Sequence, residues 1–374
     1  MAPIIFHIDV NSAYLSWTAV EQLKNGAAVD LREIPAIIGG DQKSRHGVVL
    51  AKSPAAKRYG IRTGEPVANA FRKCPNLAMY PPDHKMYREK SRRLMEYLRT
   101  FTKEIEQVSV DECYMDFTGI ADRWNSPVDG AVEIKDGIKE RFGFTVNIGI
   151  STNKLLAKMA SDFEKPDRIH TLYPEEIKEK MWPLPIGELY MAGKSSVEVL
   201  KKLEINTIGD LAQSDPRLIM LHLKSHGKML WEFANGIGTS VVQSEPDEAK
   251  GIGNSTTLSE DAATMEEIRP VFERLAQSVG GRLKKAERKP AWSAWKSNIM
   301  ISGRCLIRYS WIGRPMIPKC SKRLPAVCFW KCGAGSRCVC SGYARPSSRM
   351  KQRRNSSPSL TSRYRKSRMK NISG

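Results

Sequence analysis

No stretch of this 374-residue chain approaches the roughly 20 consecutive apolar residues that span a bilayer, so no membrane-crossing helix is expected. The apolar run Ile4–Ile8 is too short for a secretory leader and Asp9 follows it at once, which points to a cytoplasmic protein. Paired metal-binding cysteines are missing as well. Cys74 and Cys113 stand apart, and Cys305, Cys320, Cys328, Cys332, Cys338 and Cys340 show no C-x-x-C spacing, which argues against a zinc site. Acidic residues are absent altogether from Pro290 to Gly374, where 19 of the 60 Lys and Arg lie. That leaves 41 basic against 40 acidic side chains in residues 1–289, so the net charge of +20 belongs to the tail and says little about the body. The length leaves room for two or more domains with sizeable cores.

What is present centres on Ser109–Phe117, Ser-Val-Asp-Glu-Cys-Tyr-Met-Asp-Phe. Strand-favouring Val108, Val110, Tyr114 and Phe117 surround two adjacent carboxylates, Asp111 and Glu112. Neighbours in a regular strand point to opposite faces, so the two could not share a ligand there. A tight turn between strands at Ile105–Val110 and Cys113–Phe117 would let them converge. Converging carboxylates repel unless a cation lies between them, and oxygen ligands without His or Cys suit magnesium. An exposed hairpin turn explains the same residues more simply. The N-terminus shifts the balance. Ile4, Ile5, Phe6 and Ile8 read as a strand buried on both faces, ended by Asp9 and followed by Asn11-Ser12 as a cap for a helix over Ala13–Lys24. Asp9, Asp111 and Glu112 together suit two Mg²⁺ ions arranged for in-line phosphoryl displacement.

Phe6-His7-Ile8-Asp9-Val10-Asn11-Ser12-Ala13-Tyr14, together with Ser109-Val110-Asp111-Glu112, resembles the Y-family DNA polymerases, the DinB and UmuC-like group. Gly149-Ile150-Ser151-Thr152-Asn153-Lys154 and Lys165-Pro166 match as well, and the resemblance runs from Pro3 to about Lys289. It implies an α+β fold. A ferredoxin-like palm (1–11 and 83–172) would carry inserted fingers (12–82). A helix-hairpin-helix thumb (173–240), a linker (241–250) and the start of a little finger (251–289) would follow. The strand and helix order β-α-β-β-α-β agrees with such a palm. Helices are expected at Tyr87–Thr100, at Ala131–Arg141 and from Asn153 to about Phe163, the last capped by Ser151-Thr152. Strands are expected at Ala36–Gly40, Gly47–Ala51, Phe144–Ile150 and Ser255–Ser259, the third with Phe144, Val146 and Ile148 on one face.

The resemblance also assigns roles. Asp9 and Asp111 would bridge two Mg²⁺, Glu112 would complete the site, and the Val10 carbonyl would hold the nucleotide-side ion. Tyr14 would be the steric gate against a ribose 2′-hydroxyl; as an isolated residue it reads more readily as an ordinary core tyrosine. Lys57 and Lys165 would meet the incoming triphosphate, although Pro54 and Lys57 stand where many relatives have Tyr and Arg. Lys165 suits the end of a helix dipole just as well. Gly193 and Lys194, then Gly227 and Lys228, would grip DNA phosphates, with Met191-Ala192-Gly193 replacing the usual Gly-x-Gly. If a positive φ is needed at Met191, that hairpin is strained. Partners would be primer-template DNA and dNTPs, the chain acting as a monomer. A nucleotidyl cyclase on the same kind of palm would need no thumb. A weak or inactive DNA-binding remnant is the other alternative, because the fourth domain looks broken.

That break has a specific form. A natural 85-residue segment without Asp or Glu is unusual, and Pro290–Gly374 reads as a wrong-frame product. Joining the third base of each codon to the first two of the next, Trp295–Gly303 permits EVEYHDFR, with Glu and Asp forced at Trp295-Lys296 and Met300-Ile301. Arg354–Ser362 permits EQLSLFDF, like the tail with which these polymerases hold the sliding clamp. As written, the chain would lack that tether, leaving an aberrant, disordered basic tail.

Overall fold

The computed structural model describes residues 2–40, 47–245, 251–256, 258, 265–285, 293–301 and 305–313. Strand β1 (Ile5–Val10) leads into helix α1 (Ala13–Lys24). Then come β2 (Ala36–Gly39), β3 (Val49–Lys52), α2 (Pro54–Arg58), α3 (Val67–Lys73) and β4 (Ala78–Tyr80). Helix α4 (His84–Leu98), β5 (Ile105–Gln107), β6 (Glu112–Asp116), α5 (Pro127–Phe142), β7 (Val146–Ser151), α6 (Lys154–Ser161) and β8 (Ile169–Thr171) follow. The next helices are α7 (Lys194–Lys202), α8 (Ile208–Gln213) and α9 (Pro216–Ala234).

The main sheet has the order β5-β6-β1-β7-β8. Its first four strands are antiparallel neighbours, and β8 is added in parallel at one edge. Removing the segment from α1 to β4 leaves β1-α4-β5-β6-α5-β7 in ferredoxin-like order, as expected. Phe6, Ile8 and Val10 pack with Leu94, Leu98, Ile134 and Ile138 of α4 and α5, so one sheet face is a helix-covered core. Residues of the other parity, Ile5, His7 and Asp9, share their face with Glu112 and Tyr114 across the β6 register and with Asn147 and Gly149 across the β7 register. Helix α6 covers that face so closely that a Cβ on Gly149 would lie 2.0 Å from the Ala157 carbonyl. Strand β7 is therefore buried on both faces, not on the Phe144–Val146–Ile148 face alone.

Helix α1 is buried on most sides over Ala13–Val20 because two cores share it. Ala13, Trp17 and Val20 join the main core, while Leu15 and Ala19 meet Leu31, Ala36, Ile38 and Ala51 beside the β3-β2-β4 sheet. The outer side of α6 (Leu155, Leu156, Met159) seats the helical segment through Ile177, Met181, Leu200, Ile219 and Leu230.

Two expected caps differ. Ser12 has left-handed φ 49 and caps nothing with its side chain, and it is Asn153, not Ser151 or Thr152, whose side chain accepts from the Leu156 N–H. Ser151 is still strand, and its hydroxyl donates to the Leu172 carbonyl. The expected linker is no free tether at its start. Val242 packs on Ile5, Tyr114 and Ala157, the Gln243 N–H donates to Glu106 (2.9 Å), and the Ser244 hydroxyl donates to Glu104 (2.6 Å).

A second compact unit holds α10 (Met265–Lys285) and a hairpin of β9 (Ser293–Ile301) and β10 (Cys305–Gly313). Arg282 donates to the Gly253 carbonyl (2.8 Å) within it. Residues 293–301 and 305–313 thus form paired strands inside the segment expected to be disordered. The rest of that tail lies outside the described residues, as do Thr257 and Ser259 of the expected strand, whose Ser255, Thr256 and Leu258 carry no regular structure. No helix among the described residues is long and apolar enough to cross a membrane.

Candidate active site

Asp9 and Glu112 are direct partners in the β1–β6 register, so their side chains leave the same face of the sheet. Asp111 sits one residue earlier, in the turn from β5, and its carbonyl accepts from the Val10 N–H at 3.0 Å. The turn thus brings three carboxylates and the Val10 backbone to one end of the central strands. The expected strand to Val110 is shorter, ending at Gln107, because Val108 and Ser109 turn back to the Glu112 carbonyl.

Each carboxylate has its own protein partner. Asp9 accepts from the Lys165 ammonium, which also meets Asp162 at 2.8 Å. Glu112 lies 3.2 Å from Lys158 Nζ and 3.3 Å from His7 Nε2. Asp111 accepts from the Ser109 hydroxyl at 2.6 Å. Consistent with this, no three acidic, His or Cys side chains among the described residues are drawn into a ready-made metal cage. Electrostatics separates the three groups. Burial, with Asp9 and Glu112 adding to it, pushes the Asp111 carboxyl up. His7 and then Lys158 hold Glu112 down at about 2. Burial alone would lower Lys158 and Lys165, yet the surrounding carboxylates, Asp9 foremost, raise both.

Beneath the carboxylates, His7 is fully buried. Its Nδ1 is hydrogen-bonded to Ser161 Oγ at 2.7 Å.

A cleft of about 320 Å³ is lined by Asp9, Val10, Tyr14 and Asp111 together with Lys52 and Thr63. Tyr14 is therefore brought to the carboxylates. Lys57 is not: it is exposed on α2, and Lys52, bonded to Thr63 at 3.2 Å, supplies the cleft's ammonium. Burial and then Lys57 lower the Lys52 pKa. Lys52 is not among the residues singled out from the sequence. Its signal was strand alternation, since Val49 and Ala51 are buried while Leu50 and Lys52 face the other way.

In the helical segment Gly193 is the N-cap of α7 and Lys194 its first residue, both exposed. Met191 does have positive φ, +69. Gly227 is not presented to a phosphate as expected. It is buried inside α9, where a Cβ would meet the Ile219 carbonyl at 2.7 Å, and the chain breaks at Lys224 (φ 55) instead. Lys228 is exposed and 3.6 Å from Glu232.

Residues 8–162 match the impB/mucB/samB family, and residues 249–291 match that family's C-terminal domain. DNA polymerase IV of Clostridium acetobutylicum is 54% identical over 288 residues, which is 77% of this chain and 72% of that protein. DNA polymerase IV 1 of Bacillus subtilis is 41% identical over 285 residues, 76% of this chain and 67% of that protein. A solved Y-family DNA polymerase chimera shares the fold, with TM-score 0.69 and 22% identity over 82% of this chain and 87% of its own. With its carboxylates gathered at the end of a ferredoxin-like sheet and relatives this similar over most of their length, the chain belongs to the Y-family of DNA-directed DNA polymerases, the impB/mucB/samB family.

Proposed function

We propose that this chain is an error-tolerant, template-directed polymerase of the lesion-bypass type, working by two-metal nucleotidyl transfer from a dNTP to a primer 3′-hydroxyl. The observation that carries this is the Asp9–Glu112 register pair with Asp111 on the adjoining turn, its carboxyl raised by burial and by the other two. Divalent ions serve the family generally, and by donor type the three carboxylates with the Val10 carbonyl fit a hard cation such as Mg²⁺. Two such ions, when bound, supply acidification of the primer hydroxyl and neutralisation of charge on the transferring phosphate.

The chain's own residues do the rest. Tyr14, on the cleft wall, excludes a ribose 2′-hydroxyl. Lys52 and Lys165 bring positive charge to the triphosphate, and exposed Lys57 adds to the field more remotely. The amides opening α7 at Gly193-Lys194, with the exposed Lys228, hold template-primer phosphates without reading sequence. In this reading residues 1–11 and 83–172 are the palm, 12–82 the fingers, 173–240 the thumb and 251–289 the start of a little finger. The protein acts as a cytoplasmic monomer on primer-template DNA and dNTPs.

Primer extension with Mg²⁺ tests the assignment. Asp111→Asn keeps the shape and the Ser109 bond but removes the charge, so addition should fall to background while primer-template binding stays within a few-fold. Unchanged extension would remove Asp111 from the site.

A further inference from the structure

The loop between α6 and β8 carries Lys165, and two buried side chains hold both its ends. Asn147, fully buried in β7, donates from Nδ2 to the carbonyls of Ser161 (3.1 Å) and Glu164 (2.6 Å) on the incoming side. Its Oδ1 accepts from the Arg168 N–H (3.2 Å) on the outgoing side and from Asn11 Nδ2 (3.0 Å). Asn11, 8% exposed, accepts through Oδ1 from the Asp167 N–H (3.0 Å) and the Thr145 hydroxyl (2.9 Å). Carbonyls only accept and N–H groups only donate, so a flipped Asn147 would lose its bonds to all three backbone groups. Asp167 itself has left-handed φ 61, a conformation that costs a non-glycine residue energy and needs outside support. Lys135 (3.0 Å) and Lys139 (2.8 Å) pin its carboxylate.

The same two residues border the carboxylates. Asn147 is the register partner of Asp9 on β7, and Asn11 follows Val10 directly. The row Glu112–Asp9–Asn147 therefore runs straight across three strands, with the Lys165 ammonium folded back onto Asp9. A core built only for stability would be served as well by apolar groups of the same shape. A fully satisfied polar pair instead specifies one loop geometry.

We propose that Asn11 and Asn147 are positioning residues for nucleotide binding, clamping the loop at residues 161–168 so that the Lys165 ammonium is held at the triphosphate side of Asp9. This rests on the reading of Lys165 as a triphosphate contact. Asn11 and Asn147 touch no substrate; they act through Lys165.

Single-nucleotide insertion with Mg²⁺ tests this on the full chain bearing Asn11→Ala, Asn147→Asp, Lys165→Ala and the Asn11→Ala/Lys165→Ala double. Asn147→Asp keeps the amide's shape and removes the two donors, while Asn11→Ala disturbs only the less buried partner and guards against a misfolded Asn147 variant. Each Asn variant should raise the dNTP KM about tenfold, with kcat and the primer-template Kd within a few-fold. The double should be no worse than Lys165→Ala, because the clamp acts through that one side chain. A lowered melting temperature with unchanged KM, or an additive double, would mean a purely structural pair and overturns the proposal. If Lys165→Ala itself leaves the dNTP KM unchanged, the triphosphate reading fails first and the proposal with it.

Discussion

Tyr14 lies face to face on Tyr87, with ring centroids 4.4 Å apart and planes within 10°. Tyr87 is buried and its hydroxyl is 3.1 Å from Thr18, whose own hydroxyl reaches the Tyr14 carbonyl. Burial and then Asp111 raise the Tyr14 phenol, so the ring faces the cleft uncharged at neutral pH. Tyr14→Ala should lower discrimination between dNTP and rNTP opposite one template base by at least about tenfold. Discrimination that does not drop would leave Tyr14 a packing residue.

Glu112 links the site to acid stability. His7 and Lys158 hold its carboxyl at about 2, against an ordinary 4.5. A depressed folded-state pKa contributes stability that is complete above pH 4.5 and fades as pH falls towards 2. Glu112→Gln should therefore be less stable than the parent at neutral pH, with the gap closing through that window. Urea midpoints measured across the pH series decide it; a constant gap would show that charge is not what holds this side chain.

Met191 is a local cost in the hairpin before α7. It is half exposed, so little packing depends on it, yet it occupies φ +69. Met191→Gly should relieve about 1 kcal/mol, partly offset by glycine's freedom in the unfolded chain. A melting temperature higher by a few degrees is the expected reading. A lower one would show that the methionine side chain contributes more than the backbone loses.

The acid-free tail calls for the gene itself. The match to the family's C-terminal domain ends at residue 291, close to where acidic residues stop. Sequencing through codons 286–296 should show a shifted frame, and the restored protein should extend primers more processively with a sliding clamp. An uninterrupted frame there, with a tail protected in hydrogen exchange, refutes the idea.

Local chemistry was legible in the sequence wherever it suffices. The apolar run before Asp9, the helix over Ala13–Lys24 and the strain at Met191 follow from side-chain pattern and backbone preference alone. The adjacent carboxylates of Asp111 and Glu112 were visible for the same reason, since only a turn lets neighbours converge. What faced what was not. Lys52 instead of Lys57 reached the cleft because strand β3, not helix α2, borders it. Gly227 stayed inside α9 because Ile219 of the preceding turns packs against it. Val242 docked on the sheet although its neighbours read as a polar linker. Tertiary structure alone set the Glu112–Asp9–Asn147 row, because it depends on which strands pair and in what register. Pairing joins residues more than a hundred positions apart, and no local period encodes that. The sequence by itself determined the parts, their faces and the charges they carry; the register of three strands decided that those charges meet.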